Sequence, residues 1–432
     1  MKIGLEVHVA LPTKSKLFCS CSTSADEPNS AICPICMGLP GSRPMLNGAA
    51  LEFTITVANA LHCMISKETY FLRKVYFYPD LPKSYQITQL DGAVGHNGYV
   101  RIKNKKIRIR RVQLEEDPAK IVREDEYSLL DFNRSGIPLN EIVTEPDMES
   151  ESELREFVNE LRSILYYVGI DIDKEMKIDL NISLGEERVE VKNITGIKNL
   201  IDAERFEERR QSQLIESNQP IKKETRSYNA ETMMTVSSRE KESDEEYGFI
   251  YEPDLAIYSV DVSRIRSIES ASEIATSYSK KYGANEDTIR ELIMFDKDAL
   301  RLLEEGVKHG SISNTINAIE LLKRHGKISM PGSGFKKMLE YLEKGFLLNE
   351  TAINALHEGR EINTERDSVK TEVIDNAILE IVKQRQDLVN EYKTNKKAFN
   401  FIVGIILKKY SVNPKYVSER LAEVLKNDYG IV

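Results

Sequence analysis

The first alternating run of the chain, IGLEVHVAL (3–11), sets a carboxylate and an imidazole, Glu6 and His8, two positions apart. Side chains alternate between faces along a strand. Ile3, Leu5, Val7 and Val9 therefore turn one way and Gly4, Glu6 and His8 the other. Taken alone, the polar side reads as the solvated face of a half-buried strand. Two later runs repeat the pattern. KIDLNISL (177–184) sets Asp179, Asn181 and Ser183 opposite Ile178, Leu180, Ile182 and Leu184; RVEVKN sets Glu190 and Lys192 opposite Val189 and Val191. Short acids and amides suit a metal or a polar ligand better than they cover a free surface, provided these strands join one sheet.

More carboxylates stand at the ends of predicted elements: Glu115, Glu116 and Asp117 in QLEEDPAK, and Glu141, Glu145 and Asp147 in NRSGIPLNEIVTEPD. A hard cation such as Mg²⁺ takes oxygen ligands and bridges to substrate phosphates. Each acid by itself is equally well a helix cap or a surface charge. The chain has no G-x-x-x-x-G-K-[ST] loop, GSGFKK (332–337) lacking the spacing, and no dinucleotide fingerprint. A nucleotide would have to be held by metal and by side chains such as Arg73, Lys74 and Lys83.

Four of the five cysteines fall in FCSCSTSADEPNSAICPIC: Cys19, Cys21, Cys33 and Cys36. A C-x-C pair and a C-x-x-C pair supply four thiolates to one tetrahedral Zn²⁺, a closed and therefore structural site. Two disulfides are the alternative, disfavoured where thiols stay reduced. The loop has no Lys or Arg between Cys19 and Cys36, so any RNA contact there falls to flanks such as Arg43. Cys63, beside His62, reads as a core cysteine, because adjacent helical residues diverge.

The elements that must position these groups follow from periodicity. A helix is expected over 44–65 after Pro44, an aromatic, proline-punctuated loop in VYFYPDLPKSYQITQ, and a hairpin in GYVRIKNKKIRIRRVQLEE turning near Asn104. ESESELREFVNELRSILYYVGI is an amphipathic helix, with Ser150 and Glu153 at capping-box spacing. A charged helix spans about 198–217. After residue 262 only helical patterns are read, broken by turns such as MPGSG. The expected architecture is α+β over 1–262, a helical connector over 263–368 and a small helical tail over 369–432.

At 432 residues, 41% hydrophobic and 30% charged, the chain is long enough for two or three folded domains. No apolar run is long enough for a membrane span, and no signal-peptide pattern opens the chain; a cytoplasmic location is expected. A net charge of −9 excludes a wholly cationic surface, so any nucleic-acid contact must be local. Two stretches qualify: residues 383–432, with ten Lys or Arg against five Asp or Glu, and RIKNKKIRIRR (101–111), with seven basic residues in eleven.

IGLEVHVAL, RKVYFYPDLPKSYQITQ, QLEEDPAK, DFNRSGIPLNEIVTEPD, EVKNI, KKETRSY, YEPDL and the tail NKKAFNFIVGIILKK stand in the order of a known family. In them the chain resembles the B subunit of the tRNA-dependent amidotransferase (the GatCAB complex), in a short archaeal-like form. The resemblance implies a cradle-shaped α+β domain related to glutamine synthetase, then a helical domain and a tRNA-binding tail. It implies ATP-dependent phosphorylation of the side-chain carboxylate of Glu-tRNA(Gln) or Asp-tRNA(Asn), followed by displacement with ammonia. The metal ligands it implies are His8, Glu116 and Glu141 with Glu6 beside them, for Mg²⁺ or, because histidine is a soft choice for Mg²⁺, Mn²⁺. Asp179 would join Glu6, His8 and Lys74 in the catalytic set. Lys74 and Lys83, with Tyr76 and Tyr85, would line the nucleotide and aminoacyl end. A glutaminase A subunit and a small C subunit are the implied partners, with charged tRNA and no membrane. The chain departs from the pattern at Gln113 and Pro118, where the family has His and Gly, and in EVKNITGIKNL, which lacks an Asn-Ser-Phe segment. Other readings are a non-catalytic subunit that only presents tRNA, and the sister E subunit, whose large insertion is not visible between Leu255 and Ser270.

Overall fold

A computed structural model describes residues 1–432 except 104, 173–175, 241–247, 265–266, 365–367, 387, 390–396, 411, 413 and 430–432. The chain divides into two compact units, Met1–Glu273 and Ile274–Val432.

The strands of the first unit are β1 Lys2–Ala10, β2 Met64–Ile65, β3 Glu68–Thr69, β4 Leu72–Val75, β5 Tyr85–Thr88, β6 Gly95–Arg101, β7 Lys106–Glu116, β8 Lys120–Arg123, β9 Ser128–Asp131, β10 Pro138–Thr144, β11 Lys177–Ser183, β12 Val189–Thr195, β13 Glu224–Asn229, β14 Met234–Glu240, β15 Gly248–Tyr251 and β16 Tyr258–Ser259. Its long helices are α1 Gly48–Ala60, α2 Glu151–Val168 and α3 Ile197–Glu216. Among the described residues nine strands form one sheet in the order β14-β13-β12-β11-β1-β10-β7-β6-β2. The β1, β11 and β12 runs do join one sheet, the condition on which their shared polar face depended. The unit is α+β and its main sheet is antiparallel except for β12–β13. That parallel pair is joined by α3, the crossover helix that parallel neighbours require.

The apolar residues of β1 point where alternation puts them: Ile3, Leu5 and Val7 are fully buried. They share one core with Ile55 and Val57 of α1, Leu154, Phe157 and Leu161 of α2, and Leu200 and Ile201 of α3. The helices thus cover one face of the sheet, and the other carries the polar side chains. β4 and β5, at either end of the aromatic loop segment, make a separate three-stranded sheet with the distant β15.

Helix α1 is shorter than its apolar periodicity suggests. The Asn47 side chain accepts hydrogen bonds from the N–H groups of Ala49 and Ala50 and starts it, a cap worth about 1 kcal/mol. It ends before His62, whose φ of 54° is incompatible with continuation. Ser150 caps α2 as expected, its Oγ accepting from Glu153 N–H at 3.3 Å. Glu153 reaches one residue further back than a capping box, to the N–H of Glu149 at 2.8 Å. The hairpin forms between β6 and β7, with Arg101 opposite Lys106; its turn residue Asn104 lies outside the described residues.

The second unit holds α5 Glu286–Ile293, α6 Lys297–Gly306, α7 Ile312–Arg324, α8 Gly332–Glu343, α9 Glu350–His357, α10 Thr371–Gln384, α11 Lys397–Lys409 and α12 Pro414–Tyr429, after α4 Ala271–Tyr282 leads in. Two expectations fail here. Strands do not vanish after residue 262: β17 Phe346–Leu348 pairs with β18 Ser368–Lys370, a ladder too short for alternation to reveal. And MPGSG does not end as a turn; Gly332 begins α8 and Gly334 lies within its first turn. A Cβ on Gly334 would collide with the carbonyl oxygen of Leu356, so this glycine permits a close helix approach. Ile374, Ile378, Ile402, Ile406, Val417 and Leu421 of the last three helices form a core of their own. No helix among the described residues is long and apolar enough to cross a membrane.

Candidate active site

The register of the sheet places the polar residues of its open face. His8 stands opposite Glu141 in β10 and Lys177 in β11; Glu6 stands opposite Val143 and Asp179. Next, Glu141 faces Gln113 of β7, and Asn181 faces Glu190 of β12. The same face therefore carries Glu190 and Lys192, Asp179 and Asn181, Glu6 and His8, Glu141, and Gln113 and Glu115.

Two clusters form on this floor. His8 Nε2 is 3.4 Å from Glu115 Oε1 and 3.6 Å from Glu141 Oε1. Beside them, carboxylate oxygens of Glu6, Asp179 and Glu190 come within 4.8 Å of one another. Lys192 Nζ sits 3.0 Å from both Asp179 and Glu190. Asn181 Nδ2 donates to Glu6 at 3.1 Å, and Asn193 N–H donates to Asp179 at 2.8 Å.

The electrostatics show a surplus of negative charge. Burial disfavours a charged His8, yet Glu115, Glu141, Asp179 and Glu6 outweigh it and raise its pKa. Burial, with Glu115 adding to it, pushes Glu141 up to about 7. Protons are thus held where a divalent cation could replace them. Among the described residues Glu141 Oε2, Gln113 Oε1, Asn181 Oδ1 and Arg111 Nε are buried without a hydrogen-bond partner. Buried polar groups are normally paired, so these atoms have hydrogen-bonding capacity open to a bound ligand or to water. Above the floor opens a cleft whose walls include Lys74, Thr88, Arg110, Arg111, Arg188 and Phe249.

Glu116 is not brought to His8 and Glu141. Ile107 and Ile109 point into the core at odd positions, but Val112 and Leu114 do so at even ones. The change of phase is a bulge: Val143 opposes Arg111 and Thr144 opposes Ile109, leaving Arg110 as the extra residue. Beyond the bulge Glu115 shares the face of Arg111 and Gln113, while Glu116 follows Leu114 to the other side. There Lys83 Nζ lies 2.5 and 2.6 Å from its oxygens, and Ile87 N–H donates to it at 2.9 Å. The jump in apolar phase between Ile109 and Val112 was the sequence signal for Glu115.

The expected nucleotide residues are divided in the same way. Lys74 lines the main cleft, with its Nζ 5.8 Å from the centre of the Tyr76 ring. Lys83, Tyr85 and Glu116 instead line a second cavity together with Lys16, Cys19 and Cys36. Tyr85 lies under the Arg73 guanidinium at 4.6 Å, and Arg73 grips Glu252 through two 2.8 Å hydrogen bonds. Other acids prove to be partners of the basic stretch: Glu145 holds Arg110 at 2.9 Å, Asp147 holds Arg108 at 2.6 Å, and Glu153 holds Lys105 at 2.8 Å. Asp117 pairs with Arg134 and Lys177 at 3.5 and 3.6 Å.

The sulfur atoms of Cys19, Cys21, Cys33 and Cys36 lie within 4.8 Å of one another. Cys33 and Cys36 are 3.9 Å apart, close to the edge of about 3.8 Å for a tetrahedron with Zn–S bonds near 2.3 Å. A hydrogen bond from the Cys19 thiol, with Lys16 also close, holds Cys36 down to about 4. The Lys16 ammonium lies 3.7 Å from its sulfur. The donor set and its charge fit Zn²⁺. Cys63 is different: burial pushes its thiol up to about 12, and His62 turns away to stack on Tyr99 and pair with Glu273 at 3.0 Å.

A family model described as the GatB/GatE catalytic domain matches residues 1–266. The chain belongs to the GatB/GatE family. Members of that family resemble it end to end. A Methanoregula boonei protein, named as the B subunit of an aspartyl/glutamyl-tRNA(Asn/Gln) amidotransferase, is 38% identical, the match covering 94% of each chain. A Saccharolobus solfataricus protein of the same name is 36% identical over the whole of both chains. One from Thermodesulfovibrio yellowstonii is 34% identical over 98% of each. In GatB/GatE terms, the matched segment contains the whole polar floor and the four-cysteine loop.

Proposed function

We propose that this chain is the carboxylate-activating B subunit of a tRNA-dependent amidotransferase. One observation carries the reading: the segment matched by the GatB/GatE catalytic model is the one whose sheet gathers His8, Glu115, Glu141, Glu6 and Asp179 on a single face. The carboxylate of an aminoacyl side chain is a poor electrophile. Its oxygen would attack the γ-phosphorus of ATP, the bond to ADP would break, and an acyl phosphate would result. Ammonia would then add to the acyl carbon, phosphate would leave, and the nitrogen would shed a proton. The substrates are Glu-tRNA(Gln), Asp-tRNA(Asn) or both, the pair named for the relatives.

The residues divide the labour. His8 and Glu141 keep the metal-holding roles that the resemblance implies, and Glu115 takes the third place in preference to Glu116. Mg²⁺ or Mn²⁺ held there would neutralise phosphoryl oxygens during transfer. Glu6 and Asp179, aligned by Asn181 and Lys192, complete the floor, and Lys74 faces the cleft from its wall. Lys83, Tyr85 and Glu116 support the cysteine-loop side, where Cys19, Cys21, Cys33 and Cys36 hold a structural Zn²⁺. We read residues 1–262 as the cradle domain related to glutamine synthetase, residues 263–368 as connector and 369–432 as the tRNA-binding tail. The sequence carries no serine-rich amidase signature; in this reading an amidase A subunit supplies the ammonia, with a C subunit joining the two. A cytoplasmic site of action follows from the tRNA substrate.

The test is transfer of the γ-phosphate of ATP by the purified complex, with Glu-tRNA(Gln) and Asp-tRNA(Asn) supplied in turn. ADP release that depends on either charged tRNA is expected. Release indifferent to both, or none with either, defeats the reading.

A further inference from the structure

The cationic side chains around the main cleft are not equally committed. Lys192 is engaged by Asp179 and Glu190 at 3.0 Å each, and Arg110 by Glu145 at 2.9 Å. Lys83 is spent on Glu116 on the opposite side of the sheet. Arg111 differs. Its guanidinium is 3.9 Å from Glu141, beyond hydrogen-bond range, and its buried Nε has no hydrogen-bond partner among the described residues. Arg188 stands exposed in the turn before β12, and no hydrogen bond or ion pair joins it to a described residue. Its position is distinctive. It lines the main cleft and also an adjoining one that runs past Lys2, Gly4 and Asn181; the two share Glu6, Arg110, Val143 and Arg188.

A phosphate chain entering this space meets five carboxylates on the floor. Like charges repel, so besides any metal held on the floor it needs cationic side chains with hydrogen-bonding capacity to spare. A guanidinium suits that task better than an ammonium, because its planar fork matches two phosphate oxygens at once. We propose that Arg111 and Arg188 form a phosphate-recognising pair at the rim of the carboxylate floor, binding the oxyanions of a phosphate ester admitted to the cleft. Arg111 anchors the inner end, next to Glu141 and the cation-holding cluster. Arg188 closes on the ester from the mouth. The pair rests on the reading of this cleft as the place where nucleotide and aminoacyl end meet. Two sources offer the same chemistry there: the polyphosphate of the nucleotide and the backbone phosphates of the RNA end.

The experiment uses Arg188→Ala and Arg188→Lys in the intact complex, since Arg188 is exposed and its loss leaves the core untouched. Binding of inorganic tripolyphosphate is measured by calorimetry, and KM for ATP and for charged tRNA by ADP release. Arg188→Ala is expected to weaken tripolyphosphate at least about tenfold, with Arg188→Lys recovering part of the loss. A matching rise in KM for ATP alone assigns the pair to the nucleotide. A rise in KM for charged tRNA alone, with a shallower salt dependence, assigns it to the RNA. Unchanged tripolyphosphate binding with both KM values unchanged overturns the pair, even if kcat falls. A wild-type complex that binds tripolyphosphate but never cleaves ATP defeats the functional reading and leaves the anion site standing.

Discussion

Glu115 and Glu116 are consecutive in the chain and lie on opposite faces of one sheet. The first is 3.4 Å from His8 Nε2, the second 2.5 Å from Lys83 Nζ. Removing the charge from one or the other should therefore fail in different ways.

Glu115→Gln keeps shape and removes a cation ligand. ADP release dependent on charged tRNA should fall by about 10² or more, as expected when a group that neutralises transferring phosphoryl oxygens is lost. The melting temperature and tRNA affinity should stay near wild type. Near-normal turnover in this variant would return the metal-holding role to Glu116.

Glu116→Gln acts on stability. It leaves the nearly buried Lys83 ammonium without a counter-charge, a change that costs about 3–5 kcal/mol when a buried pair is broken from one side. The double variant Lys83→Met/Glu116→Leu removes both charges and should regain most of that loss. Thermal unfolding of the three proteins reads the cycle; an unchanged melting temperature in Glu116→Gln contradicts it.

Glu204 supplies a pH dependence. It is fully buried in α3, and neither carboxylate oxygen has a hydrogen-bond partner among the described residues. Burial, with Glu208 and Glu151 adding to it, pushes it up to about 7 from an ordinary value of 4.5. A raised acid destabilises the fold when ionised. The penalty is complete above about pH 7 and fades as pH falls towards 4.5. Glu204→Gln should therefore raise the melting temperature at pH 8 by at least about 2–4 °C. The gain should shrink at pH 5.5. A gain equal at both pH values would show that ionisation is not its source.

Gly334→Ala tests the close approach of α8 to α9. The added methyl meets the Leu356 carbonyl, a backbone atom that cannot rotate away. Overpacking of this kind costs about 1–3 kcal/mol, although alanine is the better helix former by about 1 kcal/mol. A lower melting temperature is expected; a higher one would mean that the helices separate freely.

Cys33→Ser should remove the metal. Elemental analysis of the wild-type complex is expected to give one zinc per chain, and of the variant, almost none. Retained zinc in the variant would mean that the four sulfur atoms do not share an ion.

Much of the site was legible because β1 and β11 alternate without interruption and β12 does so as far as Lys192, before the bulge at Asn193. Counting by two from Glu6 or Asp179 gives the face correctly, and the structure adds only that the strands are neighbours. Reading stopped at β7 for a physical reason. Three acids in a row, Glu115, Glu116 and Asp117, offer no contrast of their own, and the phase must be carried from Val112 and Leu114. Counting from Ile107 and Ile109 gives the opposite answer, because the extra residue Arg110 intervenes. The apolar phase was present in the sequence, but the bulge is a matter of pairing with β10. Likewise, nothing local in QLEEDPAK tells that Lys83 waits on the far side. Pairings such as Arg110 with Glu145 depend on two strands meeting, and composition alone made that stretch look more cationic than its surroundings leave it.

The single unmatched position at Arg110 has a wider meaning. It is the joint about which one half of β7 is turned over relative to the other. Exchanging one side chain for another along that strand alters a contact. Excising Arg110 itself would leave a regular ladder with Glu115 still on the polar face, whereas excising a residue beyond the joint, such as Val112, would hide Glu115 and display Leu114 in its place. The length of this strand is thus held more tightly than its spelling.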